Sequence, residues 1–292
     1  MYKGWKVIIC IPAGRKAYME LLIPQLLVYK EANLIDDIHF WVNTVNQEDI
    51  KYMRDLASKI SYIKLIELPP GTRVDGSKTV SCFYQYCVED NTIYVKVDDD
   101  IALLDKPMAF AAFLDFRIKR RDLFMVYANT VNNSHCVHLL QRMGKLQFKK
   151  ELGLAGYRGF DPVSWANPAF TIDLHTQVLD TKHFDSLRYD FPWFLYEHER
   201  VSINVISWVG TDFKKWCNGL VGYGNDDEHL ISVDIPKSLK IYNAIFGGFV
   251  VVHFAFYPQR AELEKHGFLE AFKKRVFDSH LSWLQLPRFI IA

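Results

Sequence analysis

The first hundred residues alternate short, continuous apolar runs with longer segments whose apolar residues recur at helical spacing. "KVIICI" (6–11), "IHFWVNT" (38–44), "YIKLIEL" (62–68) and "TIYVKV" (92–97) read as strands, being short and rich in β-branched and aromatic residues. Between them, 19–32 reads as a helix despite Pro24, 46–60 repeats Ile50, Met53, Leu56 and Ala57 on one face, and 77–90 reads as a third helix. Strands that alternate with helices imply right-handed crossovers and a mainly parallel sheet covered on both faces. After about residue 105 the pattern loosens. A strand at 123–131, a polar-aromatic stretch from about 141 to 200, a strand-like 201–210, an acidic turn at 222–230 and a last apolar strand at 248–257 precede an amphipathic helix over 261–285. No repeat, low-complexity run or Pro/Gly/Ser linker divides the chain, so one domain is expected.

Composition narrows the class. Half of the 292 residues are hydrophobic, enough for a substantial core. The balance of 35 Lys plus Arg against 34 Asp plus Glu gives no sign excess to attract nucleic acid or another polyanion. The one basic run, "RIKRR" (117–121), is expected to be a solvated helix end. Cys10, Cys82, Cys87, Cys136 and Cys217 form no CxxC or finger-like spacing and read as reduced thiols of a cytosolic protein. The first apolar run is too short for a signal peptide, and no run approaches the ~20 residues of a membrane span, so a cytoplasmic location is expected.

The candidate chemistry starts at Asp98, Asp99 and Asp100, at the end of the fourth strand. Adjacent carboxylates repel one another and are costly to bury, and a hard divalent cation such as Mn2+ or Mg2+ removes that cost. In extended chain Asp98 and Asp100 point to one side and can share a site, with Asp99 on the other. The plain alternative is a solvated strand terminus. Ligands of parallel α/β sheets bind at the carboxyl ends of the strands, so the loops 12–16 and 43–47 are expected to face the same edge. In "GYGNDDEHL" (222–230), Asn225 or Asp226 can cap a helix. His253 interrupts the apolar "FVVVHFAFY", as either a satisfied core residue or a ligand. "HCVH" (135–138) and "EHE" (197–199) lack a third ligand and are expected on the surface or on a helix face. Trp165, Trp193 and Trp208 are expected to pack.

Strand, Asp-x-Asp, acidic helix start and late histidine occur in the order found in GT-A fold glycosyltransferases, and the chain resembles that family along nearly its whole length. The resemblance implies an α/β fold of GT-A type, one domain over 1–292, with a nucleotide-sugar half (1–105) and an acceptor half (106–292). It implies that Asp98 faces the nucleoside of a nucleotide-diphospho-sugar, UDP-sugar being favoured, that Asp99 helps to hold the donor sugar or the second shell of the metal, and that Asp98, Asp100 and His253 hold Mn2+ or Mg2+. Pro12, Ala13, Gly14, Arg15 and Lys78 would contact the nucleotide. The 222–230 turn resembles the acidic turn of inverting members, with Tyr223 in place of their Trp. Matched by position, Asp226 would hold a glycan acceptor and Asp227 would deprotonate its hydroxyl, with Glu228 in reserve. Polysaccharide, lipid-linked glycan or protein glycan assembly in a bacterium or large virus would fit. The rival readings are a metal-dependent phosphoryl-transfer enzyme and a non-catalytic sugar- or nucleotide-binding protein of the same fold.

Overall fold

The computed structural model describes residues 1–216 and 219–280; Cys217 and the 281–285 end of the expected last helix lie outside the described residues. Four strands form where the apolar runs place them: β1 (Lys6–Ala13), β2 (Asp37–Val42), β3 (Ile63–Ile66) and β4 (Thr92–Val97). They pair in parallel in the order β3-β2-β1-β4, with helices Lys16–Glu31 and Gln47–Lys59 as the first two crossovers. Strand β1 shows why the runs are continuous. Val7, Ile9 and Ile11 join a core with Leu22, Leu26 and Phe113, while Ile8 and Cys10 pack on the other face with Trp41, Tyr84 and Trp208. The third crossover is not the helix expected over 77–90. It is one helical turn, Ser77–Val80, followed by the tighter 3-10 turns of Ser81–Tyr86, since Ser, Thr, Cys and Tyr are weak helix formers and Phe83 and Tyr84 are drawn into the core.

The second half extends the same sheet with β5 (Ile101–Leu104), β6 (Leu123–Val131), β7 (Pro192–Leu195), β8 (Val205–Val209) and β9 (Tyr242–His253). The order continues β4-β8-β6-β9-β5, and β7 also pairs with β9. β8 is antiparallel to β4 and β6, β6 is parallel to β9, and β5 and β7 are antiparallel to β9. Six strands therefore run one way, and the carboxyl ends of β1, β4 and β9 share one edge of the sheet. Strands β5 and β7 went unpredicted because four residues give no period. Strand β9 starts earlier than expected: its register against β6 shifts between Ala128 and Asn129, opposite the Gly247-Gly248 pair that hid the first half of the strand. A Cβ at Gly247 would overlap the Tyr189 ring, so that close approach requires glycine.

Two side-chain expectations need correction. Arg117 is not solvated but buried, donating to the carbonyl of Arg120, just past the end of helix Pro107–Lys119, and to those of Leu123 and Phe124 at the start of β6. His135 lies on a helix face, Ser134–Arg142, but is buried against Tyr157, and His138 Nδ1 meets the Ala155 carbonyl at 2.7 Å. The 155–157 segment, which carries no periodic signal, covers both. Cys10, Cys82, Cys87 and Cys136 are buried thiols, and Trp208 packs in the core. No helix among the described residues is long and apolar enough to cross a membrane.

Candidate active site

Strand order reverses at β1, with β2 on one side and β4 on the other, and the candidate residues gather at that crevice. Asp98 to Asp100 form not extended chain but a turn from β4 into β5, in which the Ile101 amide donates to the Asp98 carbonyl at 3.2 Å. The expected alternation, with Asp98 and Asp100 to one side, therefore does not hold. The pairs are Asp99 with Asp100, and Asp98 apart. Four Cα steps span at most ~15 Å, whereas four strand spacings need ~19 Å. The sheet must therefore bend where the turn joins β4 to β5, and the bend makes the crevice concave.

Each acid has its own partners. Asp98 takes the ammonium of Lys96, a buried lysine within β4, and the Asn204 amide at 3.1 Å. Asp99, only 3% exposed, accepts from the Gly14 amide at 3.0 Å and from Arg15 Nε at 3.0 Å. Asp100, 4% exposed, lies 3.0 Å from Arg15, 3.2 Å from Arg260 and 3.5 Å from His253 Nε2. Burial alone would raise the Asp100 carboxyl, but Arg15, His253 and Arg260 together hold it well below the usual range. Burial likewise favours neutral Arg15, and Asp100 and Asp99 outweigh it to keep the guanidinium charged. His253 ends β9 opposite Ile101, where the bend delivers it beside Asp100; its Nδ1 is buried without a hydrogen-bond partner. An acid and an imidazole side by side are a donor pair able to take a divalent cation. Among the described residues no group of three or more such side chains is arranged to hold a metal by itself.

The acidic turn lies across the crevice. Asp226 caps the short helix Asp227–His229 by accepting from the His229 amide at 3.0 Å. Arg200 binds Asp226 at 2.7 and 3.0 Å and Glu228 at 2.8 Å. Asp227 has no such arginine. It accepts a 3.3 Å bond from the buried Tyr84 hydroxyl, and burial, seconded by Asp98 and Glu228 against the pull of Lys96, pushes its carboxyl up to about 6. Two cavities meet here. One of about 490 Å³ is lined by Lys78, Lys96, Asp98, Arg200 and Asp226 to Glu228. The other, of about 650 Å³, is lined by Pro12, Gly14, Arg15, Asp98 to Asp100, Glu228, His253 and Arg260. They share Asp98 and Glu228 and form one cleft.

Nearly all the predicted site residues thus line one cleft. Ala13 is buried within β1, and its carbonyl accepts from the Asn43 amide at 2.9 Å. Gly14 lies close under that loop, where a Cβ would come 3.1 Å from the Asn43 carbonyl. Lys78 is exposed, its carbonyl accepting from the Gly224 amide at 2.7 Å. Sequence reasoning missed Lys96, Arg200, Asn204 and Arg260. A lysine in an otherwise apolar strand was a usable signal, as was Asn204 in the strand-like 201–210; Arg200 and Arg260 lie just outside the segments with a readable pattern.

No family model and no curated protein matches this sequence. Solved structures do resemble the fold. The crystal structure of GalNAc-T7 with UDP, GalNAc and Mn2+ aligns at a TM-score of 0.50 and 9% identity, over 98% of this chain and 52% of that one. A 4-diphosphocytidyl-2C-methyl-D-erythritol synthase aligns at 0.29 and 13% identity, over 42% of this chain and 58% of that one. The synthase from Anaerococcus prevotii DSM 20548 aligns at 0.27 and 15% identity, over 44% and 56%. The chain spans between 52% and 58% of the length of these structures. Strand order and near-complete alignment with a GalNAc-transferase structure make the fold an α/β fold of GT-A type.

Proposed function

We propose that this chain is a metal-dependent glycosyltransferase that moves a sugar from a nucleotide-diphospho-sugar, a UDP-sugar being favoured, to a hydroxyl of a glycan acceptor with inversion. The observation that carries the reading is the meeting of Asp100 and His253, 3.5 Å apart although 153 positions separate them, in the same cleft as a carboxyl raised to about 6. His253 Nε2 and the Asp100 carboxylate 3.5 Å from it fit a cation by the chemistry of the donor pair. A site with few protein ligands suits Mg2+ or Mn2+, which take much of their coordination from substrate phosphate and water. Asp100 and His253 would hold the ion, with Asp98 lining the same cleft on Lys96 and Asn204, and the ion would supply charge neutralisation for the departing nucleotide diphosphate.

The rest of the chemistry belongs to the chain's own groups. Arg15 and Arg260, now on Asp100, offer planar donors that match phosphate oxygens bidentately and would orient the diphosphate. Pro12, Gly14 and Lys78 border the nucleotide side of the cleft, and Asp99 fixes Arg15 and the Gly14 turn. Asp227 would accept the acceptor hydroxyl proton as that oxygen attacks the anomeric carbon, and its raised carboxyl suits a base working near neutrality. Asp226 and Glu228 would flank it.

The test is a thermal-shift panel of nucleotide diphosphates with and without Mn2+ on wild type and Asp100→Ala. A rise in melting temperature with one nucleotide that requires Mn2+ and is lost in the variant is expected. No rise with any nucleotide, with or without metal, would remove the transferase reading.

A further inference from the structure

The acceptor side of the cleft holds an aromatic side chain that the mechanism above does not use. Phe160 lines the smaller cavity with Asp226, Asp227 and Glu228, and is 51% exposed. Its backbone lies at φ 60°, in the left-handed region that a bulky residue rarely occupies. Nothing in the core compels that conformation, because the ring is not buried. The ring is nonetheless held in place: the Arg200 guanidinium lies 4.7 Å from its centroid, and Trp165 packs edge-on at 5.2 Å. Arg200 is the same side chain that binds Asp226 and Glu228. One arginine therefore ties an exposed aromatic ring to the two carboxylates that flank Asp227.

We propose that Phe160, oriented by Arg200 and Trp165, is the platform of an acceptor subsite that stacks the C–H face of a neutral pyranoside next to Asp227. The idea rests on the glycosyltransferase reading of the cleft and adds to it the class of acceptor. A sugar ring presents polarised C–H bonds on one face and hydroxyls around its rim. The face suits an aromatic ring, whose surface is electron-rich, and the rim suits hydrogen-bonding carboxylates. Charge selects a neutral ring. The cavity carries Asp98, Asp226, Asp227 and Glu228 against Lys78, Lys96 and Arg200, and all three cations already face carboxylates, at Asp75, Asp98, and Asp226 with Glu228. A uronic or sialic acid would bring a further carboxylate into a site with no cation to spare for it among these lining residues.

The test uses saturation-transfer NMR with the methyl β-glycosides of glucose, galactose, N-acetylglucosamine and N-acetylgalactosamine, and methyl β-glucuronide as the charged control. The proteins are wild type, Phe160→Tyr and Phe160→Gly. UDP with Mg2+ is followed on each by thermal shift. Glycine suits the left-handed backbone, so Phe160→Gly removes the ring without a folding penalty of its own. Saturation of the ring C–H protons of at least one neutral glycoside is expected on wild type, retained in Phe160→Tyr, weakened about tenfold in Phe160→Gly, and absent for the glucuronide. An undiminished signal in Phe160→Gly, a stronger one for the glucuronide, or no neutral-glycoside signal while UDP still stabilises the protein would overturn the subsite and leave the transferase reading standing. Ring-dependent glycoside contact without any UDP effect would support the subsite and remove that reading, and loss of both would remove both.

Discussion

Asp227 and Arg15 show how single side chains set the chemistry of the cleft. Asp227 is half-buried among Tyr84, Lys96, Asp98 and Glu228, and its folded-state carboxyl stands near 6 against an ordinary value of 3.8. A carboxyl raised in this way destabilises the fold above its folded pKa and is neutral in effect below its unfolded one. Asp227→Asn is therefore expected to raise unfolding stability by about 1–2 kcal/mol at pH 7, a gain that shrinks as pH falls from 6 towards 4, while abolishing transfer. Urea melts at several pH values check the first part and product formation the second. In the transferase proposed above, Asp227 acts ionised, so the transfer rate is expected to fall tenfold per pH unit below about 6. Arg15 bridges two buried acids, and its removal leaves Asp99 with the Gly14 amide and Asp100 with Arg260 and His253. Arg15→Ala is expected to cost about 3 kcal/mol in denaturant unfolding. Arg15→Lys should recover only part, because an ammonium cannot span both carboxylates as a planar fork does.

At the scale of elements, strand β9 decides the geometry. It pairs along one side with β6 and along the other with β7 and then β5, and the Gly247-Gly248 pair lies between the β7 and β5 contacts. Its last residue, His253, reaches Asp100 only because β5 holds the end of β9 in register with Ile101. Two contacts lock that edge. Tyr189 covers Gly247, and Asp105, at the end of β5, takes Arg188 and the Val250 amide. Gly247→Ala is expected to destabilise by about 1–3 kcal/mol through overlap with the Tyr189 ring. It should also weaken Mn2+-dependent nucleotide binding without touching a cleft residue. Calorimetry and the thermal-shift panel read the two effects, and an unchanged metal response in a destabilised variant would separate the edge from the site.

Across the whole molecule, the direction of the strands does what no local feature could. Strands β1, β4 and β9 run the same way although antiparallel β8 intervenes between β4 and β6, so residues 14, 98–100 and 253 end at one edge. A ligand bridging those ends ties the two halves of the chain together. Saturating Mn2+ and UDP at a hundredfold excess over Kd is expected to stabilise the fold by about 2.7 kcal/mol, and Asp100→Ala or chelation of the metal to abolish the gain.

What the sequence determined by itself was the part governed by local periodicity. Continuous apolar runs made β1 to β4 and β6 legible, helical spacing located residues 47–59, and charge in unlikely places marked Asp98 to Asp100, Asp226 to Glu228 and His253. The short strands β5 and β7 carried no period, the first half of β9 was hidden by its glycines, and the buried Arg117 and His135 looked like surface residues, because local spacing does not show that Arg117 turns back onto the carbonyls of Arg120, Leu123 and Phe124 or that Tyr157 covers His135. Which acids pair was likewise a tertiary matter. An extended chain would have put Asp98 with Asp100, but the bend of the sheet converts those residues to a turn, and Arg15, Arg200 and Arg260 then pair with Asp99, Asp100, Asp226 and Glu228 and leave Asp227 without an arginine, its carboxyl raised. Composition and spacing can say that charges are present. Their energies depend on burial and on distances between side chains up to 160 positions apart, and only the folded chain fixes those.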